Sequence, residues 1–163
     1  MRVRIVVADE SEARFYDTGG PRARLQLAGR IENPSGRLRD RELKSDRPGR
    51  VFDRAATTGR RRGAVAHHAI GGERRPHKVA TQRFAREIVR TREEVRRQGQ
   101  FDRLVLIAGA PFLGMLRAAL RKSLRATVVA EVSKDLVHQT ERDVRKHVPW
   151  EIFQTSANPG QRT

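Results

Sequence analysis

Residues 101–135, FDRLVLIAGAPFLGMLRAALRKSLRATVVAEVSKD, constrain the fold more than any other stretch of the chain. RLVLIA is apolar at nearly every position, as a strand buried on both faces requires. GAP follows as a tight turn. Pro111 suits the first turn of a helix, where its missing N–H would have had no partner. Phe112, Met115, Leu116, Ala119 and Leu120 then recur at helical spacing and predict a core-facing stripe. ATVVAEV reads as a second buried strand. Strand, helix and parallel strand in that order form one right-handed crossover unit, which commits the chain to an α/β class.

VRIVVAD (3–9) is another near-continuous β-branched run. ARFYD (13–17) and RARLQLAGRI (22–31) flank the turn signal TGGP. In the latter Leu25, Leu27 and Ile31 alternate with Arg24, Gln26 and Arg30, the pattern of a strand with one wet face. From Lys78 to Gln98 the period becomes helical: Ala80, Phe84, Ile88, Thr91 and Val95 form a stripe that Ala85 and Val89 widen. Arg83–Glu87, Arg90–Glu94 and Glu93–Arg97 have the spacing of i,i+4 pairs. Asp135 is a candidate cap for a last helix, with Val137, Thr140, Val144 and Val148 on one face. The expected fold is α/β and three-layer, with a mixed, mostly parallel sheet and helices on both sides. A single domain is expected over 1–149, interrupted by a long basic loop at about 33–77. Residues 150–163 read as a polar tail on which Trp150, Ile152 and Phe153 can dock.

Charge narrows the function. The chain has 35 Lys and Arg against 19 Asp and Glu, a net +16, and only five of the basic residues are Lys. Such an excess repels itself unless a polyanion offsets it. Arginine also matches phosphate with a planar fork of donors. A pI near 11.6 is the usual footprint of nucleic-acid binding. The absence of cysteine excludes disulfides and thiolate metal sites. The apolar run in MRVRIVVADE is too short for a signal peptide or a membrane span, so a soluble, cytoplasmic protein is expected.

Residues 33–76 break every periodicity. Gly and Pro recur, large apolar residues are few, and 12 Arg or Lys stand against five Asp or Glu. A connection this long is commonly functional or disordered. Within it SDRPGRVFD (45–53) sets Arg47 and Arg50 around a Pro-Gly turn, a combination of backbone amides and guanidinium forks that suits phosphate. The same residues would equally make a rigid turn in which Arg47 or Arg50 pairs with Asp46 or Asp53. Arg60, Arg61, Arg62, Arg74 and Arg75, with Lys78, Arg83, Arg86 and Arg90 on the following helix, complete the expected phosphate-binding set.

Catalytic signals are weaker. Asp9, Glu131 and Asp135 fall near strand ends, and two carboxylates on adjacent strands can hold Mg²⁺. Asp9 and Glu131 are the weak metal candidates, but nothing sets their spacing as a catalytic cluster, and they read as caps or ion pairs. His67, His68 and His77 lack a fourth zinc ligand, and adjacent histidines on a strand point apart. AGAP (108–111) opens a helix after a strand, where anions bind, yet Pro111 removes one donor; it reads as a structural turn. No cofactor and no small-molecule substrate is expected.

SDRPGRVFD (45–53), ATQRFAREI (80–88), FDRLVLIAGAPFLGMLRAAL (101–120) and VVAEVSKDL (128–136) together resemble, in order and over most of the chain, the bacterial host-attachment protein family. That family resembles in turn the middle domain of archaeal and eukaryotic peptide-chain release factors and of Pelota. The resemblance implies an RNase H-like fold and a ribosomal setting. This chain departs from it by being unusually basic. It also carries Gly71-Gly72-Glu73 where release factors carry Gly-Gly-Gln, at the wrong distance from Arg83-Phe84. Peptide release is therefore not expected. The reading that follows is a non-catalytic RNA- or ribosome-associated module. One alternative is an attachment or surface-interaction protein, and another is a metal-dependent nucleic-acid hydrolase.

Overall fold

The computed structural model describes residues 1–37 and 75–156. Strands β1 (Val3–Ala8), β2 (Glu12–Thr18) and β3 (Gln26–Glu32) lead to a short 3-10 turn, Pro34–Arg37. Helix α1 (Arg75–Arg97) then returns to β4 (Arg103–Ala108). Helices α2 (Ala110–Ala119) and α3 (Lys122–Arg125) cross to β5 (Val128–Ser133). Helix α4 (Glu141–Lys146) and a 3-10 turn, Trp150–Ser156, follow.

The strands form one mixed sheet in the order β3-β2-β1-β4-β5. β1 pairs in parallel with β4, and β4 with β5. β2 runs antiparallel to β1 and to β3. Two of the four pairings are thus antiparallel, and the sheet is not mostly parallel as the sequence suggested. The cause is connection length. Residues 9–11 and 19–25 join these strands, and a parallel return needs a crossover of a dozen residues or more.

Every residue of β1 is buried, and all of β4 after Arg103, which explains their unbroken apolar runs. One face packs Val6, Ala8, Phe15, Leu104 and Leu106 against Phe84 and Ile88 of α1 and Phe112, Leu113 and Leu116 of α2. The opposite face packs Val3, Ile5, Val7, Val105 and Ile107 against Leu136, Val137, Val144, Val148 and Ile152.

Three expectations fail locally. β5 is not buried on both faces: at the sheet edge it alternates half-buried and exposed residues. β3 does not keep its alternation. Pairing steps from Phe15 opposite Gly29 to Tyr16 opposite Leu27, so Ala28 is an extra residue and the period breaks. Leu25 is buried while Leu27 is 61% exposed. The last helix starts at Glu141, not near Asp135. Its cap is Thr140, whose hydroxyl accepts the Asp143 N–H at 3.2 Å.

Candidate nucleic-acid interface

α1 buries Thr81, Phe84, Ala85, Ile88, Val89, Arg92 and Glu93 and exposes Lys78, Arg83, Arg86, Arg90 and Arg97. At 3.6 residues per turn the four arginines fall within an arc of roughly 60° and extend over about 21 Å of helix. The i,i+4 pairs expected from their spacing do not form. Glu93 turns inward, 3.4 Å from the Ser123 hydroxyl and 3.7 Å from Arg121. Glu94 meets Arg97 one turn on, at 3.9 Å. Among the described residues no carboxylate forms an ion pair with Lys78, Arg83, Arg86 or Arg90. The helix therefore presents a cationic ridge in which, of the four arginines, only Arg97 has a carboxylate partner among the described residues.

Beside the ridge lies a groove of about 260 Å³ between α1 and α2. Lys78, Gln82 and Arg86 form one wall; Pro111, Gly114, Met115, Ala118 and Ala119 form the floor and the other wall. A second crevice, about 210 Å³, opens at the C-terminal ends of β1 and β4, where the chain turns one way after β1 and the other way after β4. Asp9, Glu10, Thr81, Gly109, Phe112 and Asp135 are among its lining residues.

Asp9 of the crevice and Glu131, the two metal candidates, are both engaged. Asp9 Oδ1 accepts the Ser11 N–H at 2.7 Å, the Ser11 hydroxyl at 2.8 Å and the Glu12 N–H at 2.8 Å. Asp9 Oδ2 faces His138 Nε2 at 3.1 Å. Glu131, on β5, pairs with Arg117 of α2 at 2.5 Å. β4 lies between their two strands, so Asp9 and Glu131 hold different partners at different places. Among the described residues, no group of three or more His, Asp or Glu side chains is arranged to hold a metal ion. Gly109 caps α2 without a side-chain bond, and Pro111 sits in its first turn, as AGAP suggested.

Of the residues expected to bind phosphate, Lys78, Arg83, Arg86 and Arg90 share α1. Arg75 begins that helix, and its side chain is not among those described. Arg47, Arg50, Arg60, Arg61, Arg62 and Arg74 lie outside the described residues, as do Gly71-Gly72-Glu73, His67 and His68. His77 faces Glu10 at 3.1 Å.

Sequence reasoning missed the buried charges. Glu12, 1% exposed, pairs with Arg14 at 2.6 Å, Arg30 at 3.1 Å and Arg37 at 3.9 Å. Its hydrogen bond is the main reason why the Arg14 guanidinium is held above its ordinary pKa. Arg4, the one charged residue inside β1, is buried and pairs with both oxygens of Asp17. Its place inside an apolar run was the available signal.

A five-stranded mixed sheet with an arginine-ridged crossover helix defines the class: a basic α/β protein with helices packed on both sheet faces. The chain belongs to the family described as "Protein required for attachment to host cells", whose model matches residues 4–148. No curated protein matches it. Among solved structures it is similar to one described as "Archaeal protein", at 9% identity and a TM-score of 0.44; the match covers 94% of this chain and 38% of that one. No helix among the described residues is long and apolar enough to cross a membrane.

Proposed function

We propose that this chain is a non-catalytic RNA- or ribosome-associated member of the host-attachment family. On this reading the sheet is a variant of the RNase H-like arrangement found in release-factor middle domains. The order β3-β2-β1-β4-β5, with β2 alone reversed, supports that reading of the fold. The observation that carries the function is the α1 ridge: Arg83, Arg86 and Arg90 are exposed and without carboxylate partners among the described residues, on a chain of net +16. Guanidinium groups that no described carboxylate pairs with suit phosphate, and each phosphate contact releases counterions. Such contacts position a strand without reading its bases. Binding is favoured over cleavage because Asp9 is occupied as a turn cap and Glu131 as the partner of Arg117.

The family description favours a second reading, attachment or surface interaction. A direct test measures fluorescence anisotropy of a labelled 12-nucleotide single-stranded RNA against a labelled anionic polysaccharide, each over a salt series. The expected result is RNA binding whose log K falls steeply with log salt. RNA affinity that is absent at 50 mM salt, or equal at 50 and 200 mM, overturns the proposal. Binding of the polysaccharide alone moves attachment to first place.

A further inference from the structure

We infer that the groove between α1 and α2 docks an acidic amphipathic helix from a partner protein. This goes beyond the RNA reading, which rests on the ridge. Three observations carry it. The floor and far wall are aliphatic and small: Gly114, Met115, Ala118 and Ala119. Small residues spaced four apart on one helix let a second helix approach closely, as ridges pack into grooves. Next, Gly114 lies inside α2, where glycine is unfavourable relative to alanine. Nothing in the described chain requires it: its backbone has no positive φ, and a Cβ there would meet nothing within 4 Å. A close neighbour from outside the described residues would supply the missing reason. Finally, Lys78 and Arg86 edge the groove without ion-pair partners among the described residues, and Val79 beside them is 51% exposed.

Charge selects the occupant. A segment flanked by Glu or Asp complements Lys78 and Arg86, with an Ala/Leu stripe on the floor. The chain's own residues 38–74 carry ten Lys and Arg against five Asp and Glu, so they fit poorly. A second copy brings another +16. RNA fits poorly because, among the described residues, no aromatic ring lines the groove to stack a base. With α2 only ten residues long, the interface is small and the binding weak and reversible, on the order of 10–100 µM.

The test uses the full chain and a fluorescein-labelled 18-residue peptide with an Ala/Leu stripe flanked by glutamates. A control peptide of the same composition is scrambled to break the stripe. The intact peptide should bind at least tenfold more tightly than the scrambled one. Gly114→Leu, which fills open space, should weaken it at least tenfold, and so should Lys78→Glu. Ala118→Leu repeats the steric test at a second position, and thermal melting confirms that each variant is folded. Neither steric variant should change the affinity of a 12-nucleotide RNA, whereas Arg90→Ala should lower it and spare the peptide, so the two proposals fail separately. No binding at 1 mM peptide, equal binding of the scrambled peptide, or an unchanged affinity in folded Gly114→Leu and Ala118→Leu overturns the inference. A loss of RNA affinity in those two variants gives the groove to RNA and overturns it as well.

Discussion

The guanidinium of Arg92 lies 3.6 Å above the centre of the Phe15 ring. It is only 8% exposed, and its Nε has no hydrogen-bond partner among the described residues. Burial, with repulsion from Arg4, presses its pKa down to about 10, against the attraction of Asp17. Asp17 is already held by Arg4, itself 5.3 Å from the Phe101 ring. Two buried cations thus share one carboxylate. A cation whose folded pKa is depressed is disfavoured in the fold at every pH below that value, so neutral pH offers no relief. Arg92→Met keeps a flexible apolar chain over Phe15 and removes the unoffset charge. It should raise stability by about 1–2 kcal/mol in urea unfolding. Asp17→Ala leaves both cations unopposed. It should lower stability by about 2–3 kcal/mol, a value reduced because Asp17 is about a third exposed. If Arg92→Met costs more than Asp17→Ala, the cation–ring contact outweighs the desolvation and the assignment is wrong.

A second prediction concerns Gly36, the buried residue of the turn that follows β3. A Cβ built there comes 1.9 Å from the Glu10 carbonyl oxygen and 2.6 Å from its carbon, both backbone atoms that cannot swing aside. Asn33 fixes the same approach, donating its N–H to Ser11 O at 2.7 Å and its amide to Glu10 O at 2.8 Å. Gly36→Ala should therefore cost about 1–3 kcal/mol, measured by thermal or urea unfolding. Gly114→Ala, where a Cβ meets nothing, should instead stabilise by roughly 0.5–1 kcal/mol. Equal effects at the two glycines would show that the Pro34–Arg37 turn is not held against the β1–β2 turn.

The fold was legible where residues face the core on their own account. β1 and β4 are buried on both faces, so their apolar runs announce them, and the α1 stripe follows from its period. What was not legible depends on partners far away in sequence. The sheet's antiparallel half was hidden in connection lengths rather than in strand composition. The bulge at Ala28 is set by pairing with β2, and it turned a plausible alternation into an exposed Leu27. Asp135 and Thr140 are both cap-type residues, five apart, and local sequence does not choose between them. Charged residues read as solvent-facing, yet Arg4, Glu12, Arg92 and Glu93 are buried because partners from other strands and helices satisfy or flank them. In the candidate site the spacing of Arg83, Arg86 and Arg90 was visible. Their freedom from Glu87 and Glu94 was not, since i,i+4 spacing permits those pairs without forming them.

The cap of α4 gives a pH-dependent prediction. The Asp143 carboxylate accepts from Lys146 Nζ at 2.8 Å and from the Thr140 hydroxyl at 2.6 Å. These bonds, Lys146 first, hold its pKa below the ordinary aspartate value. A depressed acid pKa contributes stability that is present above the unfolded value, about 3.9, and lost as pH falls through the folded one. Asp143→Asn should therefore lower the melting temperature at pH 7 and at pH 5 equally, with the gap to the parent closing below about pH 4. Thr140→Ala, which also removes the cap, should cost about 1 kcal/mol at neutral pH. A gap for Asp143→Asn that widens on acidification would reverse the sign and exclude this role.

The last prediction separates the ridge from the overall charge. If +16 acts only as a diffuse field, removing any one exposed arginine should weaken RNA binding alike. If α1 is the contact face, the arginines without a carboxylate partner among the described residues should matter most. Arg83→Ala and Arg90→Ala each remove one phosphate contact, so each should lower the slope of log K against log salt by about 0.7 on single strands. The effect should be the same for oligo(U) and oligo(A), because phosphate contacts do not read sequence. Arg97 is already shared with Glu94, and Arg117 with Glu131, so Arg97→Ala and Arg117→Ala should change the slope by less. A salt series with these four variants on one labelled RNA decides the matter. Equal slopes across all four would assign the affinity to net charge and leave α1 without a specific part in it.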